Sequence, residues 1–215
     1  MRIGILGSGN VGQSLGKAFV ARGHDAKIGS RTPTSDKLRK WKEAVGGRSS
    51  TGTFAEAAAH GEVIVLACSG AAVEDVIRLA GLDNFAGKPL IDVTNPLAFA
   101  KDTSPGLFVG TTDSLGERVQ RKLPTAKVVK CFNCVNHETM VNPSNTDTKP
   151  TMLICGNDEA AKATVSKILK EFGWDDVMDI GGIDGARWLE ALVPLWVRVA
   201  TKKSTWHVGF KIVNG

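Results

Sequence analysis

Six residues near the amino end constrain this chain more than any other stretch. Gly7-Ser8-Gly9-Asn10-Val11-Gly12 reads G-x-G-x-x-G. It stands between an apolar run, residues 2–6, and a segment, residues 10–21, whose Val11, Leu15, Ala18 and Phe19 recur at helical spacing. Between a strand and a helix each glycine has a task. Gly7 permits the tight turn, Gly9 lets a pyrophosphate approach the backbone, and Gly12 lets helix and strand pack closely. The N–H groups opening the helix then face the phosphates along its dipole. A plain Gly-rich turn is the bland alternative. The strand–turn–helix setting favours dinucleotide binding.

Strand-like and helix-like segments alternate along the rest. Strands are expected at 25–28, near 48–53, and at 62–67 (EVIVLA), 89–93, 127–132, 152–155 and 176–180, and helices at 34–45, 72–80, 158–172 and 186–203, with a short Ala-rich one ending at His60. Pro194 should kink the last helix. Continuous apolar strands fit a sheet covered on both faces. The order predicts an α/β, Rossmann-like, doubly wound and mostly parallel sheet of roughly seven or eight strands. No linker breaks the pattern, so residues 1–215 read as one domain, with a C-terminal helical segment at 184–215 closing an acceptor pocket. The stretches 94–111 and 133–149 read as long loops at the carboxyl ends of strands, where ligands bind in such folds.

The tip of the second strand selects the dinucleotide. An acid there would accept from a ribose 2′-OH; this chain has Gly29-Ser30-Arg31-Thr32 instead. Ser30 can donate a hydrogen bond and Arg31 can fork onto a 2′-phosphate, so NADP(H) is the expected cofactor. Lys37 could add charge, and the alternative is an exposed loop with a chance arginine. The same tip weighs against an S-adenosylmethionine methyltransferase.

Few groups offer proton chemistry. Tyrosine is absent, which excludes a short-chain dehydrogenase with its catalytic Tyr. His24 reads as solvated, His60 as a helix end and His207 as tail, leaving His137 as either a site residue or a polar loop residue. An acceptor that asks little of the protein, such as a flavin, deazaflavin or quinone-like ring, suits this poverty. Cys131 and Cys134 have CxxC spacing, but residues i and i+3 of a strand face opposite ways, so buried structural cysteines and no metal are expected. Four cysteines without disulfide density, no membrane-length apolar run and no signal-peptide pattern suggest a reduced, cytoplasmic protein. The net charge of +5 is scattered, which gives no support to a nucleic-acid partner. Trp196, Trp206 and Phe210 could pack against a second copy, making a homodimer, or fold back on their own sheet.

MRIGILGSGNVG, the GSR after the second strand and the tail ARWLEALVPLWVRVATKKSTWHVGFKIV resemble the NADP oxidoreductases that depend on coenzyme F420. LIDVTNP, VVKCFN and LICG are also similar to the NADPH-oxidoreductase domain of the STEAP metalloreductases, which uses flavin. The resemblance implies hydride transfer between NADP(H) and coenzyme F420 or a flavin (FMN or FAD) as small-molecule acceptor. It implies that Ser8, Gly9, Asn10 and Val11 hold the pyrophosphate and that Ser30 and Arg31 hold the 2′-phosphate. Cys68 would pass its backbone near the adenosine half, and Asn95 and Pro96 would lie beside the nicotinamide ribose. Asn133, Val135 and His137 would line the nicotinamide and acceptor pocket. Two departures, Gly70 and the polar NCVNH at 133–137, fall on the acceptor side. A sensor that binds NADPH without turnover is the alternative from another class.

Overall fold

In the computed structural model, which describes residues 1–99 and 105–213, ten strands and eight α-helices follow one another. They are β1 (Arg2–Leu6), α1 (Asn10–Ala21), β2 (Asp25–Gly29), α2 (Asp36–Val45), β3 (Ser49–Gly52), α3 (Phe54–His60), β4 (Val63–Leu66), α4 (Val73–Ala80) and β5 (Pro89–Asp92). Then come β6 (Leu97–Ala98), β7 (Gly106–Leu107), α5 (Leu115–Lys122), β8 (Lys127–Lys130), α6 (His137–Val141), β9 (Met152–Gly156), α7 (Glu159–Glu171), β10 (Val177–Asp179) and α8 (Ala186–Lys203). Among the described residues no helix is long and apolar enough to cross a membrane.

Eight strands form one sheet in the order β10-β9-β8-β5-β4-β1-β2-β3. Every neighbouring pair is parallel except β8 with β9. The chain winds outward from β1 through β2 to β3, then returns to β4 on the other side. The winding therefore reverses between β1 and β4, and the crevice at their carboxyl ends is where such sheets take ligands. The apolar run of β4 shows why the sheet needs helices on both faces. Val63 and Val65 enter one core with Leu15, Phe19 and Ile28, while Ile64 and Leu66 enter the other with Phe54, Val73 and Ile77. Each fully buried side chain of this size contributes about 1.5–3 kcal/mol, so exposing either face would be prohibitive.

Several expectations change. The stretch 133–149 holds α6, capped by the Asn136 side chain accepting from Thr139 N–H at 2.8 Å, and a short turn at Pro143–Asn145. The stretch 94–111 forms the small antiparallel ladder of β6 and β7, while its residues 100–104 lie outside the described residues. His24 is buried, not solvated: the turn after α1 meets the end of α7, where Glu171 Oε2 lies 2.8 Å from His24 Nε2 and the Phe19 ring packs edge-on. That partner is 147 residues away in sequence. α8 runs unbroken through Pro194, whose missing N–H leaves the Glu190 carbonyl without its intrahelical donor.

Candidate functional site: a phosphate loop and a cleft

The turn from β1 into α1 is built from close approaches. Gly7 has φ +139°, and a Cβ there would stand 2.2 Å from the Ala67 carbonyl oxygen at the end of β4. A Cβ at Gly12 would meet the Gly7 carbonyl oxygen at 2.1 Å. Gly9 is the contrary case, since a Cβ there would meet no protein atom within 4 Å. The turn is braced by Gln13 Nε2 donating to the Ser8 carbonyl at 2.8 Å and by Gly7 N–H donating to Gly29 at 3.2 Å. α1 carries no side-chain cap and no acid in its first turn, whereas α3, α5, α6 and α7 are capped by Thr53, Ser114, Asn136 and Asp158. The first-turn N–H groups of α1 thus meet no side-chain acceptor, a trait shared with α8.

The tip of β2 sits beside this loop. Ser30 Oγ lies 3.3 Å from Ser8 Oγ and accepts from Thr32 N–H at 3.2 Å. Arg31 and Lys37 are exposed, and neither makes an ion pair among the described residues. Cys68, half-buried at the end of β4, has a thiol that burial, and next the charge of Asp92, push up to about 12. It is no thiolate at neutral pH. Cys131, Cys134 and Cys155 are likewise held protonated by burial.

From Val11 a cleft of about 570 Å³ extends towards α8. One wall carries Val93, Asn95 and Leu97 from the chain after β5, and the next carries Asn133, Val135, His137 and Glu138 from the chain after β8. Opposite stand Val193, Trp196 and Val197 of α8 with Thr205, Trp206 and His207 of the tail. The first two walls are tied by Asn133 Nδ2 donating to Asn95 Oδ1 at 2.6 Å. Phe132, with φ 66°, turns the chain between β8 and Asn133. His137 is held by Ser14 of α1, whose Oγ lies 2.9 Å from Nδ1. Behind the walls lies a fully buried ion cluster. Lys130 Nζ donates to Asp92 Oδ2 at 2.9 Å, Glu190 Oε1 at 2.8 Å and the Thr94 carbonyl at 2.6 Å. Burial opposes that charge, yet the two carboxylates hold the Lys130 pKa above its ordinary value.

These residues fit a dinucleotide. The Gly9 cradle admits a phosphate where a methyl would stand, and Arg31 offers an uncommitted guanidinium. Asn133 Oδ1 is buried without a protein partner, which suits the N–H of a carboxamide. Of the anticipated residues, Val11, Asn95, Asn133, Val135 and His137 line the cleft, while Ser8, Gly9, Asn10, Ser30 and Arg31 cluster at the phosphate loop. Pro96 is buried and does not line the cleft; its carbonyl accepts from Phe108 N–H at 2.9 Å. Sequence reasoning missed Glu138 and did not bring the tail residue His207 to the cleft, where its Nε2 donates to Glu138 Oε2 at 2.6 Å. The tail that carries His207 folds back on its own domain. Trp196 Nε1 donates to the Val208 carbonyl at 2.9 Å, its ring lies 5.5 Å from that of Trp206, and Thr151 N–H donates to Phe210 at 2.9 Å.

Fold, phosphate loop and cleft together define a Rossmann-type NADP-dependent oxidoreductase. The sequence model of the family described as "NADP oxidoreductase coenzyme F420-dependent" matches residues 2–96. An F420-dependent NADP reductase of Methanocaldococcus jannaschii is 30% identical over all of this chain and 99% of its own length. The chain belongs to the F420-dependent NADP reductase family. It is also 32% identical to the rat metalloreductase STEAP3 over 91% of this chain, which spans only 38% of that protein. Among solved structures, a protein of Arthrobacter sp. FB24, described only provisionally as an F420-dependent NADP reductase, superposes with a TM-score of 0.95 at 38% identity, each chain fully covered. A reductive aminase of Aspergillus terreus, 18% identical with a TM-score of 0.67 over 94% of this chain and 62% of its own, shares the fold.

Proposed function

We propose that this NADP-dependent oxidoreductase works by direct hydride transfer between NADP(H) and a flavin- or deazaflavin-type ring. The relatives named as F420-dependent NADP reductases point to coenzyme F420 as that acceptor. NADPH, when bound, would supply the hydride, a proton together with its electron pair. The protein contributes binding, orientation and dryness. The α1 amino end with Ser8, Gly9, Asn10 and Val11 holds the pyrophosphate; Ser30 and Arg31 hold the 2′-phosphate; Cys68 lends its backbone to the adenosine half. Asn95, next to the buried Pro96, borders the nicotinamide ribose, and Asn133 Oδ1 accepts from the carboxamide. Val135, Met140, Val193 and Val197 exclude water from the reacting carbons, and Trp196 and Trp206 wall the acceptor end. The hydride adds to the acceptor ring and solvent supplies the proton that a ring nitrogen then takes up, so no side chain is named as catalytic.

The observation that carries this reading is the single cleft of about 570 Å³ running from the start of α1 to the tail. It lies within the size range of sites for small molecules and cofactors. The test is oxidation of NADPH by purified protein with coenzyme F420, FMN and FAD offered separately, followed by loss of the reduced nicotinamide absorbance. Turnover with F420 alone supports the deazaflavin, and turnover with the flavins alone moves the acceptor to the metalloreductase type. Tight NADPH binding without turnover would replace hydride transfer by a sensing role. The same reading includes a homodimer, supported by Trp188 and Leu195 exposed on the outer face of α8.

A further inference from the structure

We propose that Lys130 is a positioning residue that holds the nicotinamide wall and the acceptor wall of the cleft in one register. Its ammonium has three protons, and each goes to a different oxygen: Asp92 Oδ2, Glu190 Oε1 and the Thr94 carbonyl. Two of these ties hold the end of β5 that leads to Asn95, and the third holds α8. Thr94 immediately precedes Asn95 and is fixed again by donating N–H and Oγ1 to Asp92 Oδ1 at 2.9 and 2.6 Å. Glu190 stands one turn before Val193 on α8 and also accepts from Leu115 and Gly116 N–H at 2.8 and 2.9 Å, fixing the start of α5. Lys130 itself ends β8, three residues before Asn133.

The loop carrying Asn95 is therefore held twice, by the Asn133 amide on the ligand side and by the ammonium behind it. Sealing a lysine and two carboxylates in a core is costly compared with apolar packing of equal volume, so stability alone is a poor reason for the cluster. Directional bonds fix a loop where apolar contacts would let it slide, and hydride transfer depends on close alignment of donor and acceptor. None of the cluster's partners belongs to the phosphate loop or to Ser30 and Arg31. Anchoring of the adenosine half is thus separate from alignment of the reacting half.

This inference rests on the hydride-transfer reading, and its test separates the two. Lys130→Met and Glu190→Gln are compared with the unaltered protein. Lys130→Met strands two buried carboxylates; Glu190→Gln keeps the side-chain shape and the Lys130–Asp92 pair, and serves where Lys130→Met does not fold. The readouts are NADPH affinity, kcat and acceptor KM, the primary isotope effect with 4-deuterated NADPH, and the near-ultraviolet circular dichroism of bound nicotinamide. NADPH affinity should stay within about twofold while kcat falls about tenfold, with a larger isotope effect and a weakened nicotinamide dichroism. A lower melting temperature with kcat, KM and dichroism unchanged would reduce the cluster to a structural role and overturn the proposal. If the unaltered protein turns over none of the acceptors, hydride transfer fails by itself. The dichroism at matched affinity still decides the positioning: an unchanged signal overturns it.

Discussion

At Gly9 and Gly12 the same substitution meets opposite surroundings. Alanine at Gly9 has an ordinary φ of −71° and no protein atom within 4 Å of its methyl, so Gly9→Ala should leave the melting temperature unchanged. It should cost at least about tenfold in NADPH affinity, because the methyl stands where the pyrophosphate approaches. Gly12→Ala drives a methyl to 2.1 Å from a backbone oxygen and should lower stability by about 1–3 kcal/mol, read as a fall in melting temperature. Arg31→Ala should weaken NADPH by about 2 kcal/mol, roughly thirtyfold, and leave NADH nearly unaffected, measured by parallel titrations. Equal losses for both would remove the 2′-phosphate from that position. These expectations could be drawn from the sequence because spacing and side-chain chemistry are local. The pairing of His24 with Glu171 and the buried Asn133 Oδ1 were not, since each depends on chain brought in from far along the sequence.

At the scale of elements, strong apolar periodicity made the order of strands and long helices readable, as for β4 and α7. α5 escaped because LGERVQRK buries only a narrow apolar stripe, Leu115 and Val119, amid charge. A signal was present: Ser114 and Glu117 have capping-box spacing, and the Ser114 hydroxyl does accept from Glu117 N–H at 3.1 Å. α6 escaped because five residues hold too few turns to show a period. α5 and α8 are joined by Arg187, whose Nε and Nη2 donate to the two Glu117 carboxylate oxygens at 2.8 and 2.6 Å. The Arg187 bonds, opposed by burial and aided by the Ser114 hydroxyl, hold the Glu117 pKa below its ordinary value. A depressed carboxylate pKa adds stability above the unfolded value and loses it as pH falls through the folded one. Arg187→Met should therefore be less stable than the parent at neutral pH, with the gap closing below the carboxylate range in denaturant titrations. A gap independent of pH would assign the loss to packing.

For the whole molecule, the doubly wound sheet followed from the alternation of strand and helix, but the antiparallel turn of β9 against β8 did not. Strand direction is set by the path of the connection, which periodicity does not encode. The tail was equally opaque, because STWHVGFKIV has neither helical nor alternating apolar order. Its course is fixed by distant partners: Glu138, Thr151 and Asp176, the last paired with Lys211 at 2.6 Å. A chain ending at Lys203 should keep its NADPH affinity, lose acceptor kcat/KM and melt earlier. Undiminished acceptor turnover would show that the tail is not part of the acceptor wall.

The tryptophan pair of the cleft has an optical consequence. With no tyrosine in the chain, its ultraviolet emission comes almost wholly from five indoles. Trp196 and Trp206, 5.5 Å apart, border the space where a reduced nicotinamide would lie. Indole emission overlaps the absorption of that ring, so the two are resonance-energy donors built into the wall. Arrival of the reduced cofactor, and its conversion to the oxidised form, which does not absorb there, should both be visible as quenching and recovery of the protein's own light, without any label.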